Sequence, residues 1–156
     1  HDHAAQVRHA LRWERRGAGS SEGAELIADV KVSDALRLNL NYTYNQTKDT
    51  AGEQRLRRPK NMANIGFDYQ IDKLTLSANL RLVQDFVDLV LDETTFESVA
   101  LPLDNYEVID ISARYRVNTR LTVFARVENL FDKSYQDLAA FNTAGDTPHI
   151  GLKYQF

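Results

Sequence analysis

The sequence predicts an all-β protein whose antiparallel strands cross a membrane as a β-barrel, and three observations support this prediction. Residues 149–156 alternate strictly between apolar and polar side chains and end on Phe156. The same alternation recurs in separate segments along the chain, and these segments are joined by alternately short and long polar connections. Strands of this kind are typical of bacterial outer-membrane barrels, in which lipid covers one face and the lumen the other.

The composition of the 156 residues fits this fold, although it resembles that of a soluble domain, with 43% hydrophobic residues and a formal net charge of −3. No segment reaches the ~20 apolar residues of a membrane helix, but a barrel strand needs only about 9–11 residues, half of which face the lumen. The lack of cysteine excludes a disulfide scaffold and a thiolate metal site. No Ser/His/Asp or Cys/His set indicates a nucleophile. We therefore expect no enzyme activity, no cofactor, no metal and no nucleic-acid partner.

The alternation predicts eight strands. In one of the regular strands, Leu74, Leu76 and Leu80 oppose Thr75 and Asn79. The two segments nearest the start are less regular, because the first has its apolar face interrupted by a histidine. The predicted strands cover residues 7–13, 24–30, 36–45, 63–71, 74–82, 109–117, 121–128 and 149–156.

Connection lengths predict the orientation of the strands in the membrane. Short connections are predicted at residues 33–34, 72–73 and 118–120, and long polar ones at residues 16–22, 46–60, 85–105 and 132–147. In bacterial barrels the short turns face the periplasm and the long loops face outside, so we expect the last strand to run toward the periplasm. Tyr42 and Tyr44 then lie near the outer interface, and Tyr69, Tyr154 and Phe156 lie near the inner one, as two aromatic girdles require.

A soluble β-sandwich or a calycin-type barrel would also alternate apolar and polar side chains. Two features count against it. The apolar face of seven or eight strands exceeds what one small sandwich can cover, and the opposite face is too polar to be a core. We expect that polar face to line the lumen with a cross-strand ladder of charges, formed by Arg37, Arg81, Arg114, Arg116, Arg126, Asp68, Asp110 and Glu128.

Several segments resemble those of a known family. The motif Glu128-Asn129-Leu130-Phe131-Asp132, followed by Tyr135, resembles the penultimate-strand motif of TonB-dependent outer-membrane receptors, and residues 142–145 with 151–156 resemble their final hairpin. Residues 21–26, 40–44 and 58–61 resemble the family's Gly-x-Glu strand entry, its Tyr-rich strand and its Arg-x-Pro-type loop exit. Within the family, the chain is most similar to the cobalamin and siderophore transporters. It departs from the pattern at Asp146, where the family often has arginine.

The resemblance implies uptake of a large, scarce ligand across the bacterial outer membrane, driven through TonB. The ligand would be cobalamin or an iron chelate of the siderophore type. Family members have a barrel of about 22 strands closed by an N-terminal plug that carries the TonB-contacting segment. Residues 1–156 would then be a single domain, the C-terminal sector of the barrel, with the plug and the TonB box absent. TonB would act only through that missing N-terminal part, and lipid and lipopolysaccharide would surround the barrel.

The final strand also matches an assembly signal. His149, Gly151, Tyr154 and Phe156 fit the polar-x-Gly-x-x-aromatic-x-aromatic pattern that the barrel-assembly machinery reads. A free strand edge with outward aromatic side chains would suit recognition by β-augmentation. The two aromatic residues would also be expected as interfacial girdle residues, so targeting and anchoring both remain open from the sequence.

Two other classes of function remain open. A complete small barrel of eight strands could have a structural or adhesion role, but residues 5–13 would then have to pair with residues 148–156. An outer-membrane enzyme would need a catalytic cluster, and the loop carboxylates have no histidine partner. Weaker site candidates are a metal site at His1, Asp2 and His3, a calcium site at Asp132, Asp137, Asn142 and Asp146, and a site for anionic ligands or lipopolysaccharide phosphates at Arg55, Arg57, Arg58 and Lys60.

Overall fold

The structure, a computed structural model, describes the backbone of residues 5–15 and the complete residues 19–156. The metal site considered at His1, Asp2 and His3 lies outside the described residues. None of the described residues belongs to a helix long and apolar enough to span a bilayer. The strands are β1 (Ala5–Arg15), β2 (Ser20–Lys31), β3 (Leu36–Lys48), β4 (Asn61–Ile71), β5 (Leu74–Gln84), β6 (Phe86–Leu91), β7 (Ser98–Leu103), β8 (Tyr106–Arg116), β9 (Leu121–Glu128) and β10 (Thr147–Tyr154).

Eight of these strands form one antiparallel sheet in the order β1-β2-β3-β4-β5-β8-β9-β10, and β6 pairs with β7 in a separate hairpin. The all-β, antiparallel prediction is therefore confirmed, as is the number of strands in the wall. The strands β1 and β10 lie at opposite edges of the sheet. The pairing of the first strand with the last, which a closed eight-stranded barrel would need, is not formed between these described strands.

The register of the sheet aligns the predicted faces across neighbouring strands. Leu38 lies opposite Phe67, and Phe67 lies opposite Ala78. On the other face, Arg37 lies opposite Asp68, whose carboxylate accepts a hydrogen bond of 2.5 Å from the hydroxyl of Ser77. Because each strand keeps its alternation in register, the sheet has one continuous apolar face and one continuous polar face.

The three short connections are confirmed, and side chains hold them tight. The Ser33 hydroxyl accepts hydrogen bonds from the backbone amides of residues 35 and 36 at 3.2 and 3.0 Å. The side-chain Oδ1 of Asn118 does the same for the amides of residues 120 and 121 at 2.8 and 2.9 Å. Asp72 has a φ of 48°, a left-handed conformation that aspartate tolerates better than most residues.

Two predictions about the long connections are wrong. The segment 85–105 is not a loop throughout, because it contains β6 and β7; the sequence of β7, Ser-Val-Ala-Leu-Pro-Leu, does not alternate, and Pro102 argues against a strand. Residues 20–22, predicted as part of a long connection over 16–22, belong to β2, because Ser20 already pairs with Lys48 of β3. β2 is therefore longer than its apolar alternation predicts, because its first residues pair with the end of β3.

Candidate functional site

The candidate functional site lies on the polar face, at the end of the sheet that carries the long connections. Val83 and Tyr106 are cross-strand neighbours there, and together with Phe86 and Val108 they form a buried apolar cluster. Tyr135, from the connection between β9 and β10, packs against this cluster. The connection between β9 and β10 is therefore folded back onto the polar face of the sheet.

This cluster was not predicted, although the sequence contains a signal for it. Leu82 and Val83 are adjacent apolar residues, and so are Val108 and Ile109. Adjacent apolar residues in a strand place apolar side chains on both faces at that point. Where two neighbouring strands do this close together, as Val83 and Val108 do at diagonal positions, something must cover the otherwise polar face.

Arg81 organises the first part of the site, which we call the Arg81 stack and which comprises Arg81, Tyr106, Tyr135 and Asp137. The two tyrosine rings lie 4.4 Å apart, and the guanidinium carbon lies 5.5 Å from the Tyr106 ring and 5.4 Å from the Tyr135 ring. The guanidinium also donates a hydrogen bond of 2.7 Å to the Tyr135 hydroxyl and lies 3.8 Å from the Asp137 carboxylate. The Tyr106 hydroxyl donates to that same carboxylate.

Asp88 organises the second part, which we call the Asp88 junction. Asp88 is 1% exposed and accepts hydrogen bonds from Arg57 Nε at 2.7 Å, from the Leu89 amide at 2.8 Å and from the Ala139 amide at 2.9 Å. Burial raises the pKa of the Asp88 carboxyl, but the bonds from Ala139, Arg57 and Leu89 outweigh burial and hold that pKa below its ordinary value. The carboxylate is therefore charged at neutral pH.

The Asp88 junction connects three segments that are far apart in the sequence. Arg57 belongs to the connection between β3 and β4, Asp88 to the β6–β7 hairpin, and Ala139 to the connection between β9 and β10. The hairpin and the first connection are also joined through their backbones, since the amide of Arg57 donates to the carbonyl of Val87 at 2.8 Å. One buried carboxylate thus fixes the relative positions of three loops.

A cavity of about 300 Å³ lies beside the Arg81 stack on the polar face. Its lining includes the charged and amide side chains of Asn79, Arg81, Asp110, Glu128 and Asn129, together with Tyr135. The guanidinium and the two carboxylates can bind a polar ligand or another polar protein surface.

The structure gives Asn129 of the predicted family motif a role in the backbone of the turn. Asn129 is 4% exposed and has a φ of 51°. Its side-chain nitrogen Nδ2 donates to the backbone carbonyls of Lys133 and Ala144 at 2.9 and 3.2 Å, and its side-chain oxygen accepts from the backbone amide of Lys133 at 2.8 Å. Asn129 thereby holds the start and the end of the connection between β9 and β10 together.

The other motif residues are distributed around this turn. Glu128 forms an ion pair of 2.9 Å with Arg126 of the same strand. The Leu130 amide donates to the carbonyl of Ile109 at 2.8 Å, and the Asp132 carboxylate accepts from the Asp146 amide at 3.3 Å. Phe131 is 73% exposed. Tyr135 belongs to the Arg81 stack, and Glu128, Asn129 and Tyr135 all line the cavity beside it, so the motif contributes three residues to the candidate site.

The four residues of the predicted assembly signal lie on β10 and just beyond it. His149 Nε2 is 3.8 Å from the Glu128 carboxylate. Gly151 lies opposite Phe124 of β9. The rings of Tyr154 and Phe156 meet edge to face at 5.3 Å. All four residues belong to, or directly follow, an edge strand of the sheet.

In the folded chain, residues of the weaker site candidates take part in other contacts. Among residues 19–156, no group of three or more acidic or histidine side chains could hold a metal ion, and Asp137 of the considered calcium site belongs to the Arg81 stack. Of the basic run, Arg57 pairs with Asp88, and Lys60 Nζ lies 5.9 Å from the Tyr44 ring centroid. On the polar face, Arg81 pairs with a loop carboxylate rather than with one directly across the sheet.

Comparison with known proteins gives matches of sequence and of structure. Residues 4–130 match the family described as TonB dependent receptor-like, beta-barrel. The chain is 25% identical over 140 residues to the vitamin B12 transporter BtuB of Vibrio cholerae, covering 90% of this chain and 22% of that protein. BtuB of Photobacterium profundum is 28% identical over 138 residues, covering 86% of this chain and 21% of the relative. The chain thus spans about a fifth of the length of these curated relatives.

Solved structures share the fold. The ferripyoverdine receptor of the outer membrane of Pseudomonas aeruginosa superposes with a TM-score of 0.77 at 19% identity, over 88% of this chain and 20% of that one. The ferric-catecholate import receptor Fiu of Escherichia coli K12 gives 0.76 at 18% identity, over 97% and 25%.

Proposed function

Because the chain belongs to the TonB-dependent receptor β-barrel family, we propose that it forms the C-terminal sector of the barrel of a receptor that imports a large, scarce ligand. The ligand is cobalamin or a ferric siderophore. Barrels of this family lie in the bacterial outer membrane, with lipid and lipopolysaccharide around their apolar face. The receptor is a transporter without enzyme activity, and TonB acts on it through a part that lies outside these residues.

The observation that carries the proposal is the attachment of three loops to one another over the polar face. A receptor that selects a large ligand before transport needs a preformed binding surface at its mouth. The Asp88 junction and the Arg81 stack supply such a surface, since they fix loop positions through buried and charge-assisted contacts. The relatives named for vitamin B12 transport support cobalamin, and the structural neighbours named for ferric ligands support a siderophore.

Uptake by intact cells tests this proposal. A strain that lacks the full-length receptor is complemented with the wild-type gene or with Arg81→Ala, and the import of radiolabelled cobalamin and of radiolabelled iron in several siderophores is measured with and without TonB. We expect TonB-dependent import of one ligand and a loss of at least tenfold in its affinity in Arg81→Ala. Arg114→Ala is the matched control, because Arg114 lies on the same face, six residues further toward the short turn than the level of Arg81. Import that does not require TonB would contradict the proposal.

For the final strand we propose that His149, Gly151, Tyr154 and Phe156 direct assembly of the barrel by the barrel-assembly machinery. The position of β10 at a sheet edge supports this, as does the exposure of Tyr154 at 49%. The test compares Phe156→Ala with Phe141→Ala, an exposed loop aromatic, by the amount of heat-modifiable receptor in outer-membrane fractions. We expect a several-fold loss for Phe156→Ala alone. Equal amounts of both variants would leave Phe156 as an anchoring residue only.

A further inference from the structure

The connection between β9 and β10 contains a tight turn, residues 138–141, whose backbone is strained. The Phe141 amide donates to the carbonyl of Leu138 at 3.1 Å and closes the turn. Ala140, the third residue of the turn, has a φ of 66°, whereas Ala139 before it does not have a positive φ. A turn with a positive φ at its third residue alone is of type II, which favours glycine or asparagine there. Alanine at this position therefore costs free energy that glycine would not.

A contact from outside the turn fixes this conformation. Ala140 itself is exposed, so the packing of its side chain does not impose the positive φ. Ala139 is 7% exposed, and its amide donates to the Asp88 carboxylate at 2.9 Å. Strained backbone persists where the surrounding structure over-determines it. Asp88 is the group that does so here.

The second loop at the Asp88 junction is strained as well. Arg57 has a φ of 57°, which is uncommon for a residue other than glycine, asparagine or aspartate. Its amide donates to the carbonyl of Val87 at 2.8 Å, and its Nε donates to Asp88 at 2.7 Å. Two of the bonds to the Asp88 carboxylate are therefore made against backbone strain. The junction is weaker than its hydrogen bonds alone indicate.

The connection between β9 and β10 also forms one wall of the cavity beside the Arg81 stack. The sheet supplies Asp110 and Glu128 to the lining. Asn129 joins the two ends of the connection through its bonds to the backbone of Lys133 and Ala144. Release at the Asp88 junction thus leaves the ends joined and frees the wall between them. The residues of the connection that line the cavity are Tyr135, Ala144 and Gly145.

We propose that residues 133–144 form a flap over the candidate site, hinged at Asn129 and latched at Asp88. The strain at Ala140 and Arg57 makes the latch weak enough to open. Opening removes one wall of the cavity, so a polar ligand enters or leaves without disruption of the sheet. As a control of access for a transported ligand the flap rests on the proposed function, whereas the latch itself does not.

Hydrogen exchange at the Ala139 amide of the full-length receptor in detergent, corrected for intrinsic rates, measures opening of the latch. Glycine adopts the φ of residue 140 without strain, so Ala140→Gly should slow this exchange about fivefold, although glycine ordinarily loosens a loop. Ala140→Val places a β-branched side chain at the same φ and should accelerate the exchange severalfold. Exchange in Ala140→Gly that is as fast as in the wild type, or faster, would overturn the latch.

The matched control is the pair Ser134→Ala and Ser134→Gly. Ser134 is an exposed residue of the flap without a positive φ, so glycine has no strain to relieve there. We expect exchange at Ala139 to be as fast in Ser134→Gly as in Ser134→Ala, or faster. Slower exchange in Ser134→Gly would show that glycine slows exchange anywhere in the flap, and would overturn the assignment of strain to Ala140.

Modification of carboxylates by a water-soluble carbodiimide and glycine ethyl ester measures whether the flap covers the cavity. Labelling of Asp110 and Glu128 is compared by mass spectrometry with that of Asp68, on the same face outside the cavity. Ala140→Gly should lower this ratio severalfold and Ala140→Val should raise it. A ratio that does not follow the exchange rate at Ala139 would overturn the flap. Neither readout involves import, so import without TonB would contradict the proposed function and not the latch.

Discussion

The ring of Phe124 fills the space in which a side chain at Gly151 would lie. A Cβ built on Gly151 would be only 2.9 and 3.0 Å from Cε2 and Cε1 of Phe124, closer than packed carbon atoms allow. An aromatic ring that covers a cross-strand glycine also stabilises the pair. The glycine of the predicted assembly signal therefore has a packing role in the folded sheet as well.

We predict that Gly151→Ala lowers the stability of the assembled receptor by about 1–3 kcal/mol, because the added methyl group forces the Phe124 ring away. Thermal unfolding of the full-length receptor in detergent measures this. In the double variant Phe124→Ala/Gly151→Ala, the methyl group has room, so the second substitution should cost much less than it does alone. If the double variant lost as much stability as the two single variants together, the packing explanation would be contradicted.

Asp88→Asn should loosen the three loops that meet at the Asp88 junction. The Arg57 side chain is 64% exposed, so solvent screens much of its attraction, and we expect most of the loss to come from the backbone amides of Ala139 and Leu89, which donate to the carboxylate. Hydrogen exchange at the amides of Ala139 and Leu89 should accelerate about tenfold to a hundredfold. Asp92→Asn is the control, because the bonds of Asp92 stay within its own turn. Unchanged exchange at Ala139 would show that Asp88 does not hold the loop.

The Asp88 junction should open only in acid. The pKa of Asp88 is lowered by folding, so its contribution is fully present above the unfolded pKa of about 3.9 and is lost as the pH falls through the lower folded value. Spin labels at Ala51 and Asn142, placed in the full-length receptor, report the separation of two of the loops. We expect a constant distance from pH 8 to pH 5 and a broader distribution only at a pH below the unfolded pKa of about 3.9. Asp88→Asn should be broad throughout, and a wild-type transition near neutral pH would contradict this assignment.

Asn129→Ala should destabilise the connection between β9 and β10. The substitution removes three side-chain hydrogen bonds and places alanine at a φ of 51°, so we expect a loss of about 2–4 kcal/mol. Limited proteolysis of the full-length receptor should show faster cleavage within residues 130–146. Asn64→Ala, in the middle of a strand, is the control for loss of an asparagine. Similar cleavage rates in the two variants would exclude a special role for the motif asparagine.

A double-mutant cycle can measure how strongly Arg81 and Tyr135 interact in the Arg81 stack. Tyr135→Phe keeps the ring but removes the hydroxyl that Arg81 approaches at 2.7 Å, whereas Arg81→Lys keeps the charge but loses the planar group. We expect each to destabilise the loop and the pair to show a coupling of about 0.5–3 kcal/mol. The same cycle with Arg126 in place of Arg81 should give no coupling to Tyr135. Additivity between Arg81 and Tyr135 would mean that the ring contact alone holds the loop.

The strands of the wall could be predicted from the sequence because the information is local. Leu74 to Leu82 alternates in a way that only a two-faced strand satisfies, and Ser33 and Asn118 stop their strands through bonds to amides two or three residues away. The hairpin β6–β7 could not be predicted in this way. Its sequence does not alternate cleanly, and its inner face is covered by segments from other parts of the chain.

The Asp88 junction was beyond prediction for the same reason. Arg57, Asp88 and Ala139 are separated by 31 and 51 residues, and nothing in the local sequence around any of them indicates the other two. By itself, the sequence determined the strand pattern, its two faces and the motif that places the chain in its family, since each depends on residues a few positions apart. The tertiary structure alone decided which loops meet, because a buried carboxylate requires donors wherever the folded chain can supply them.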